Sequence, residues 1–163
     1  MRKQFRAPWD LLLIVVTTGI SVFLIWLYYI IPGLFQTVIT WGIILGCAAY
    51  GIYGYSIQDG KLLVLRLGWA KGIPFSEIID VEVKPNAMMG SIRTWGIGGM
   101  FGYIGYFNNR ILKSYKAYAT HRRKTVVVST KDHLIVVTPD DPEEFVASLK
   151  ESIREQDDLS PSL

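Results

Sequence analysis

The sequence predicts an α-helical membrane hairpin followed by a mainly-β domain closed by a single C-terminal helix. Three observations carry that prediction. Residues 11–58 contain no Asp, Glu, Lys, Arg or His, an interruption of charge that no soluble core requires. Beyond that stretch come short runs that alternate apolar and polar residues, separated by polar turns. Near the end of the chain, Asp141-Pro142-Glu143-Glu144 opens one helical pattern. The 163 residues suffice for one ordinary domain and an attachment to it. With 50% hydrophobic and only 19% charged residues, the chain lacks the composition of a disordered protein.

A helix that crosses about 30 Å of hydrocarbon needs about 20 apolar residues, and the uncharged stretch holds roughly two such lengths. Pro32-Gly33 divides them, because proline lacks an amide hydrogen and glycine ends helices readily. The spans are therefore placed at about 9–31 and 34–55, after a basic cytoplasmic tail at residues 1–8. A cleaved signal peptide is the alternative for the first span. Its apolar stretch is longer than a signal core, and no A-x-A site follows it.

Aromatic residues mark the ends of the spans: Trp9 opens the first, Trp26, Tyr28 and Tyr29 close it, and Tyr50, Tyr53 and Tyr55 close the second. Arg2, Lys3 and Arg6 precede the first span, Lys61, Arg66 and Lys71 follow the second, and the intervening turn is uncharged. The positive-inside rule then places both termini in the cytoplasm of a multi-pass protein of the cell (inner) membrane.

Gly42 and Gly46 form a G-x-x-x-G pair that lets helix backbones approach closely. One reading is a docking face for a second copy of the chain or another membrane protein. The favoured reading is packing against the first span, which offers Thr18, Gly19 and Ser21. Cys47, the only cysteine, reads as a small apolar helix residue and excludes an intramolecular disulfide or a cysteine-rich zinc site. The spans hold no ionisable group, which argues against a transporter or channel acting alone.

Residues 56–155 read as a cytoplasmic domain, with 156–163 as a flexible polar tail. Strands are expected at 61–67, after an Asp59-Gly60 turn, and at 78–84, where Ile79, Val81 and Val83 alternate with Asp80, Glu82 and Lys84. Further strands fall at 114–120, 125–130 and 133–138, a spacing that fits antiparallel hairpins. Asp141 then caps a helix with Pro142 at its first position and Glu144 at the capping-box position. Phe145, Val146, Leu149 and Ile153 make its apolar face.

This order of elements, with the segments Tyr55-Ser56-Ile57-Gln58-Asp59-Gly60-Lys61-Leu62 and Ile73-Pro74-Phe75-Ser76-Glu77-Ile78-Ile79-Asp80-Val81, resembles the bacterial pleckstrin-homology (PH)-like domains found attached to membrane helices. The glycine-rich stretch after Arg93 and the ending Val137-Thr138-Pro139-Asp140-Asp141-Pro142-Glu143-Glu144-Phe145 complete the resemblance, which covers about 55–153. It implies an antiparallel barrel of about seven strands capped by one helix, a membrane-side adaptor character, and no active site.

Residues 90–105 carry Gly90, Gly96, Gly98, Gly99, Gly102 and Gly105 among Trp95, Met100, Phe101 and Tyr103. Neither phosphate-binding glycine pattern is present, so nucleotide binding is disfavoured. The stretch reads as a long apolar excursion between strands. Its aromatics pack on the barrel, lie in the membrane interface, or meet a partner. His121-Arg122-Arg123-Lys124 reads as a basic hairpin tip, either simply solvated or in contact with anionic lipid. Residues 59–139 hold 12 Lys and Arg against 5 Asp and Glu, whereas 140–158 hold 2 against 8, so a basic barrel carries an acidic helix. The membrane tether and that helix argue against nucleic acid.

No catalytic set, cofactor motif or metal-ligand cluster emerges. The expected function is a non-enzymatic, membrane-anchored interaction module, an accessory or scaffold subunit of a membrane assembly. Its candidate contacts are His121, Arg122, Arg123, Lys124, Trp95, Phe101, Tyr103 and Phe107. The alternative is a module that senses anionic lipid at the cytoplasmic leaflet.

Overall fold

A computed structural model of the chain describes residues 3–159. Arg2 and residues 160–163 of the polar tail lie outside the described residues. The order is β1 (Lys3–Arg6), α1 (Leu11–Ile30), α2 (Leu34–Tyr50), β2 (Gly54–Gln58), β3 (Lys61–Leu65) and β4 (Ala70–Pro74). A single 3-10 turn leads into β5 (Ile78–Val83), β6 (Ile92–Gly98), β7 (Tyr103–Asn109), β8 (Lys113–Ala119), β9 (Val126–Thr130) and β10 (Leu134–Val137). The helix α3 (Pro142–Leu159) follows.

Asp10 starts α1, its Oδ1 accepting the Leu13 amide at 2.7 Å. α1 ends at Ile30, before the expected Pro32-Gly33 turn. α2 stops at Tyr50, earlier than the uncharged stretch indicates, because Ile52 and Tyr55 are drawn into the domain core. Its 17 residues are about 25 Å long, against about 30 Å for the 20 residues of α1. The favoured packing of Gly42 and Gly46 on α1 is not realised. A methyl group at either would meet nothing within 4 Å, so that face of α2 is open.

The strands form two sheets, β1-β2-β3-β4 and β5-β9-β10-β8-β7-β6, with no closed ring among the described residues. Among the described residues ten strands stand where about seven were expected. β1 occupies part of the stretch read as a tail, paired antiparallel to β2 with Phe5 opposite Tyr55. The glycine-rich excursion is the β6–β7 hairpin, which widens the second sheet. One pairing departs from the antiparallel expectation: β10 runs parallel to β8 because it lies between β8 and β9. The basic segment at 121–124 is therefore part of a crossover, not a hairpin tip.

Strand alternation gives the six-stranded sheet two buried faces. Val126, Val128, Ile135 and Val137 join Tyr55, Ile57, Leu62 and Val64 of the smaller sheet in one core. α3 seals it, with Phe145 edge-on to Phe5 at 5.1 Å and to Tyr55 at 6.0 Å. Asp141 Oδ1 accepts the Glu144 amide at 3.0 Å, the cap expected from the sequence, and residues 156–159 of the expected tail continue the helix. On the opposite face Val127 and Val136 meet Tyr115, Ala117, Ala87, Met88 and, from α1, Leu13. The first turn of the apolar helix is thus part of the core of the domain.

Candidate functional site: the junction of helix and sheet

Three contacts fix the domain to the ends of α1 and α2. The first is centred on Asp10. Besides capping α1, its Oδ1 accepts the Tyr103 hydroxyl at 3.2 Å, and its Oδ2 accepts the Arg122 amide at 3.2 Å and Nε at 3.1 Å. The Asp10 amide donates to Thr120 O at 3.0 Å. Burial works against the Asp10 charge, but the hydrogen bonds from Leu13 and Arg122 outweigh it and hold the carboxyl below its usual range. The Tyr103 hydroxyl is pushed up to about 12, by burial first and then by the charge on Asp10.

The second contact is Thr17, seven residues and about 10 Å of helix rise beyond Asp10. Its hydroxyl donates to Gly99 O at 3.3 Å and accepts the Phe101 amide at 3.1 Å. One buried side chain therefore satisfies both backbone groups of the β6–β7 turn. Phe101 stands edge-on to Trp9 with ring centroids 5.8 Å apart. Gly99 has a φ of +108°, and a Cβ there would press on Val16 Cγ1 at 3.1 Å, so glycine permits the close approach.

The third contact lies at the end of α2. The Arg66 guanidinium stands 4.3 Å from the Trp69 ring, 5.3 Å from Tyr50 and 5.6 Å from Tyr118. Its Nε is buried without a hydrogen-bond partner among the described residues. The aromatic faces supply the attraction that a hydrogen bond would otherwise give.

The structure brings some of the sequence-predicted site residues together and separates others. Arg122 belongs to the Asp10 node. His121 Nδ1 accepts the amides of Arg123 at 3.2 Å and Lys124 at 3.3 Å, and Lys124 Nζ donates to Asp140 O at 3.0 Å. Burial, reinforced by the neighbouring cations and opposed by Asp10, lowers the pKa of His121. The Arg123 guanidinium has no hydrogen bond or ion pair among the described residues.

Tyr103 and Phe107 are buried and cannot serve as surface contacts. Alternation along β7 turns them toward Leu13 and Met88 and leaves Tyr106 on the opposite face. Trp95, 77% exposed, pairs with Tyr106 across β6 and β7. Tyr106 pairs in turn with Lys116, whose Nζ is 5.4 Å from the Tyr106 ring.

Sequence reasoning missed Asp10, Thr17, Arg66, Trp69 and Arg93. Only Asp10 carries a local signal, as an Asp directly before an apolar helix. Two cavities flank Arg122. One of about 650 Å³ lies among Leu11, Leu12, Val15, Met89, His121 and Arg123; the other, about 350 Å³, lies among Leu12, Met88, Arg93, Gly98 and Tyr103. Among the described residues no group of three His, Cys, Asp or Glu side chains gathers to hold a metal ion.

The family described as Bacterial PH domain matches residues 53–153 of the chain. No curated protein and no solved structure matches it.

Proposed function

The chain belongs to the bacterial PH domain family, and on that premise we propose that it is a non-enzymatic interaction module anchored in the cytoplasmic membrane. α1 and α2 cross the bilayer as a hairpin with both chain ends in the cytoplasm. The domain presents a surface to a membrane-protein partner, as an accessory or scaffold subunit. The observation that carries this reading is Leu13. It is fully buried in the second core, whereas Leu11, Val15, Val22 and Phe23 of the same helix are exposed.

A helix that completes the core of the domain is a permanent part of the fold, not a removable leader. Its exposed apolar remainder calls for lipid as solvent. α1 is long and apolar enough to cross a membrane, and α2, at 17 residues, stands at the short end of what a crossing needs. Tyr50, Tyr53, Leu67 and Trp69, all exposed beside the end of α2, supply an interfacial belt.

The partner surface is the row Trp95–Tyr106–Lys116, where β6 and β7 extend the second sheet. Exposed Trp and Tyr side chains are the residue types enriched in protein-interface hot spots. The test is extraction of the full-length protein in mild detergent and identification of what co-purifies. A stoichiometric partner that is lost with Trp95→Ala, at unchanged thermal stability, supports the reading. Recovery of the protein from the soluble fraction, or a partner indifferent to Trp95→Ala and Tyr106→Ala, contradicts it. The anionic-lipid reading is favoured by a separate observation, the unengaged arginines beside α1.

A further inference from the structure

We propose that the cleft between the start of α1, Met89-Gly90 and His121-Arg122-Arg123 seats the headgroup of an anionic phospholipid, whose acyl chain descends along α1. The inference rests on the membrane reading given above and adds to it a specific site and ligand class. The cleft, about 650 Å³, falls within the range of roughly 300–1,000 Å³ typical of small-molecule sites. Its polar rim and its apolar wall are continuous. Arg122 and Arg123 form the rim, and Leu11, Leu12 and Val15, all exposed on α1, form the wall.

The rim is prepared for a phosphate. Asp10 engages Arg122 through the backbone amide and Nε, which leaves both terminal guanidinium nitrogens without a hydrogen bond among the described residues. Asp10 thereby orients the guanidinium, and Arg122 offsets the Asp10 charge. The Arg123 guanidinium is unpaired, so the rim keeps a net positive charge. Across Leu12 and Arg122, in the second cavity, Arg93 lies over Gly98 and is likewise unpaired. Planar guanidinium groups match phosphate oxygens two at a time.

A soluble phosphate would use the rim alone. The exposed leucines and valine below it fit a ligand that carries a hydrocarbon chain and approaches from the bilayer. Four of the nine lining residues, Asp10, Leu11, Leu12 and Val15, belong to α1 and its cap, which precede the matched domain at 53–153. The site is therefore a property of this chain's junction and not of the domain alone.

The test uses the full-length protein in nanodiscs of phosphatidylcholine, with or without phosphatidylglycerol, followed by native mass spectrometry of the lipid retained after release. The wild type is expected to retain phosphatidylglycerol in preference to phosphatidylcholine. Arg123→Gln, which breaks no side-chain hydrogen bond or ion pair among the described residues, lowers that retention by about fivefold, the contribution of one basic residue at an anionic surface. Lys131→Gln, in the turn between β9 and β10 at the opposite end of the sheet, leaves it unchanged.

Equal retention of the two lipids overturns the proposal, as does an Arg123→Gln protein that behaves like Lys131→Gln. Displacement of the lipid by inorganic phosphate also overturns it, in favour of a free-anion site. Failure of the protein to enter nanodiscs overturns the membrane reading and this proposal together. Entry without lipid preference overturns this proposal alone.

Discussion

Replacing Asp10 with Ala removes its carboxylate's hydrogen bonds with three residues, Leu13, Tyr103 and Arg122, at one point. The α1 cap loses its acceptor at 2.7 Å, which costs about 1 kcal/mol. The Tyr103 hydroxyl loses its partner in a buried setting, which adds about 1–3 kcal/mol. The ion pair with Arg122 adds little, less than about 1 kcal/mol, because the Arg122 side chain is 46% exposed. Together these give about 3 kcal/mol, or a fall in Tm of about 6–12 °C for a chain of this size.

Asp10→Asn keeps an acceptor oxygen for the cap and for Tyr103 but loses the charge and the second acceptor that Arg122 uses, and is expected to lower Tm by about 2–4 °C, less than Asp10→Ala. The assay is thermal unfolding of the full-length protein in mild detergent, followed by tyrosine and tryptophan fluorescence. Acid acts in the same direction as the substitution. The Asp10 carboxyl is held below its unfolded value of 3.8, so its contribution is complete above that value and is lost as pH falls through the folded pKa. An Asp10→Ala protein within about 2 °C of the wild type would refute the junction energetics.

Thr17→Val preserves shape but leaves Gly99 O and the Phe101 amide unpaired, so it should cost about 1–3 kcal/mol, with Thr17→Ser restoring most of it in the same thermal assay. A Thr17→Val protein with wild-type Tm and unchanged Phe101 amide exchange would count against the clamp. Gly105→Ala would drive its methyl into Trp95 O across the β6–β7 pair at a φ of +132°, and should cost at least about 2 kcal/mol, checked by Tm and by hydrogen exchange along the hairpin. The Tyr55 and Tyr103 hydroxyls, both raised to about 12 against 10 when unfolded, favour the neutral phenol, so their contribution to stability is constant below pH 10 and falls between 10 and 12. Ultraviolet titration should show Tyr55 and Tyr103 ionising late, with Tyr115 also raised by burial; ionisation of Tyr55 and Tyr103 near 10 would contradict the burial of both.

What could be read from the sequence was what local physics determines. The helix pair with its Pro32-Gly33 turn, the Asp141 cap and the Phe145–Leu149 face depend on neighbours a few residues apart. β9 was legible as a strand, yet not that Val126, Val127 and Val128 serve two cores in alternation. The insertion of β10 between β9 and β8 reverses the sense of one pairing without leaving a trace in either strand. β6 and β7 were hidden by their glycines, which read as loop. Gly96 and Gly105 are paired opposite each other, where side chains would collide with the facing backbone. Asp10 illustrates the limit most directly: its cap is three residues away, but its partners Tyr103 and Arg122 lie 93 and 112 residues away.

The central claim is that α1 and the PH-like domain form one folded body at the membrane surface. A fragment starting at residue 53, purified without β1, α1 and α2, tests it most directly by its backbone amide NMR spectrum and thermal transition. Without Leu13 the second core is open, and without Phe5 the edge of the first sheet and the Phe145 contact are lost. The expected result is a poorly dispersed spectrum and no cooperative transition. A well-dispersed spectrum with the Tm of the full-length protein would contradict it and make the helices a mere tether.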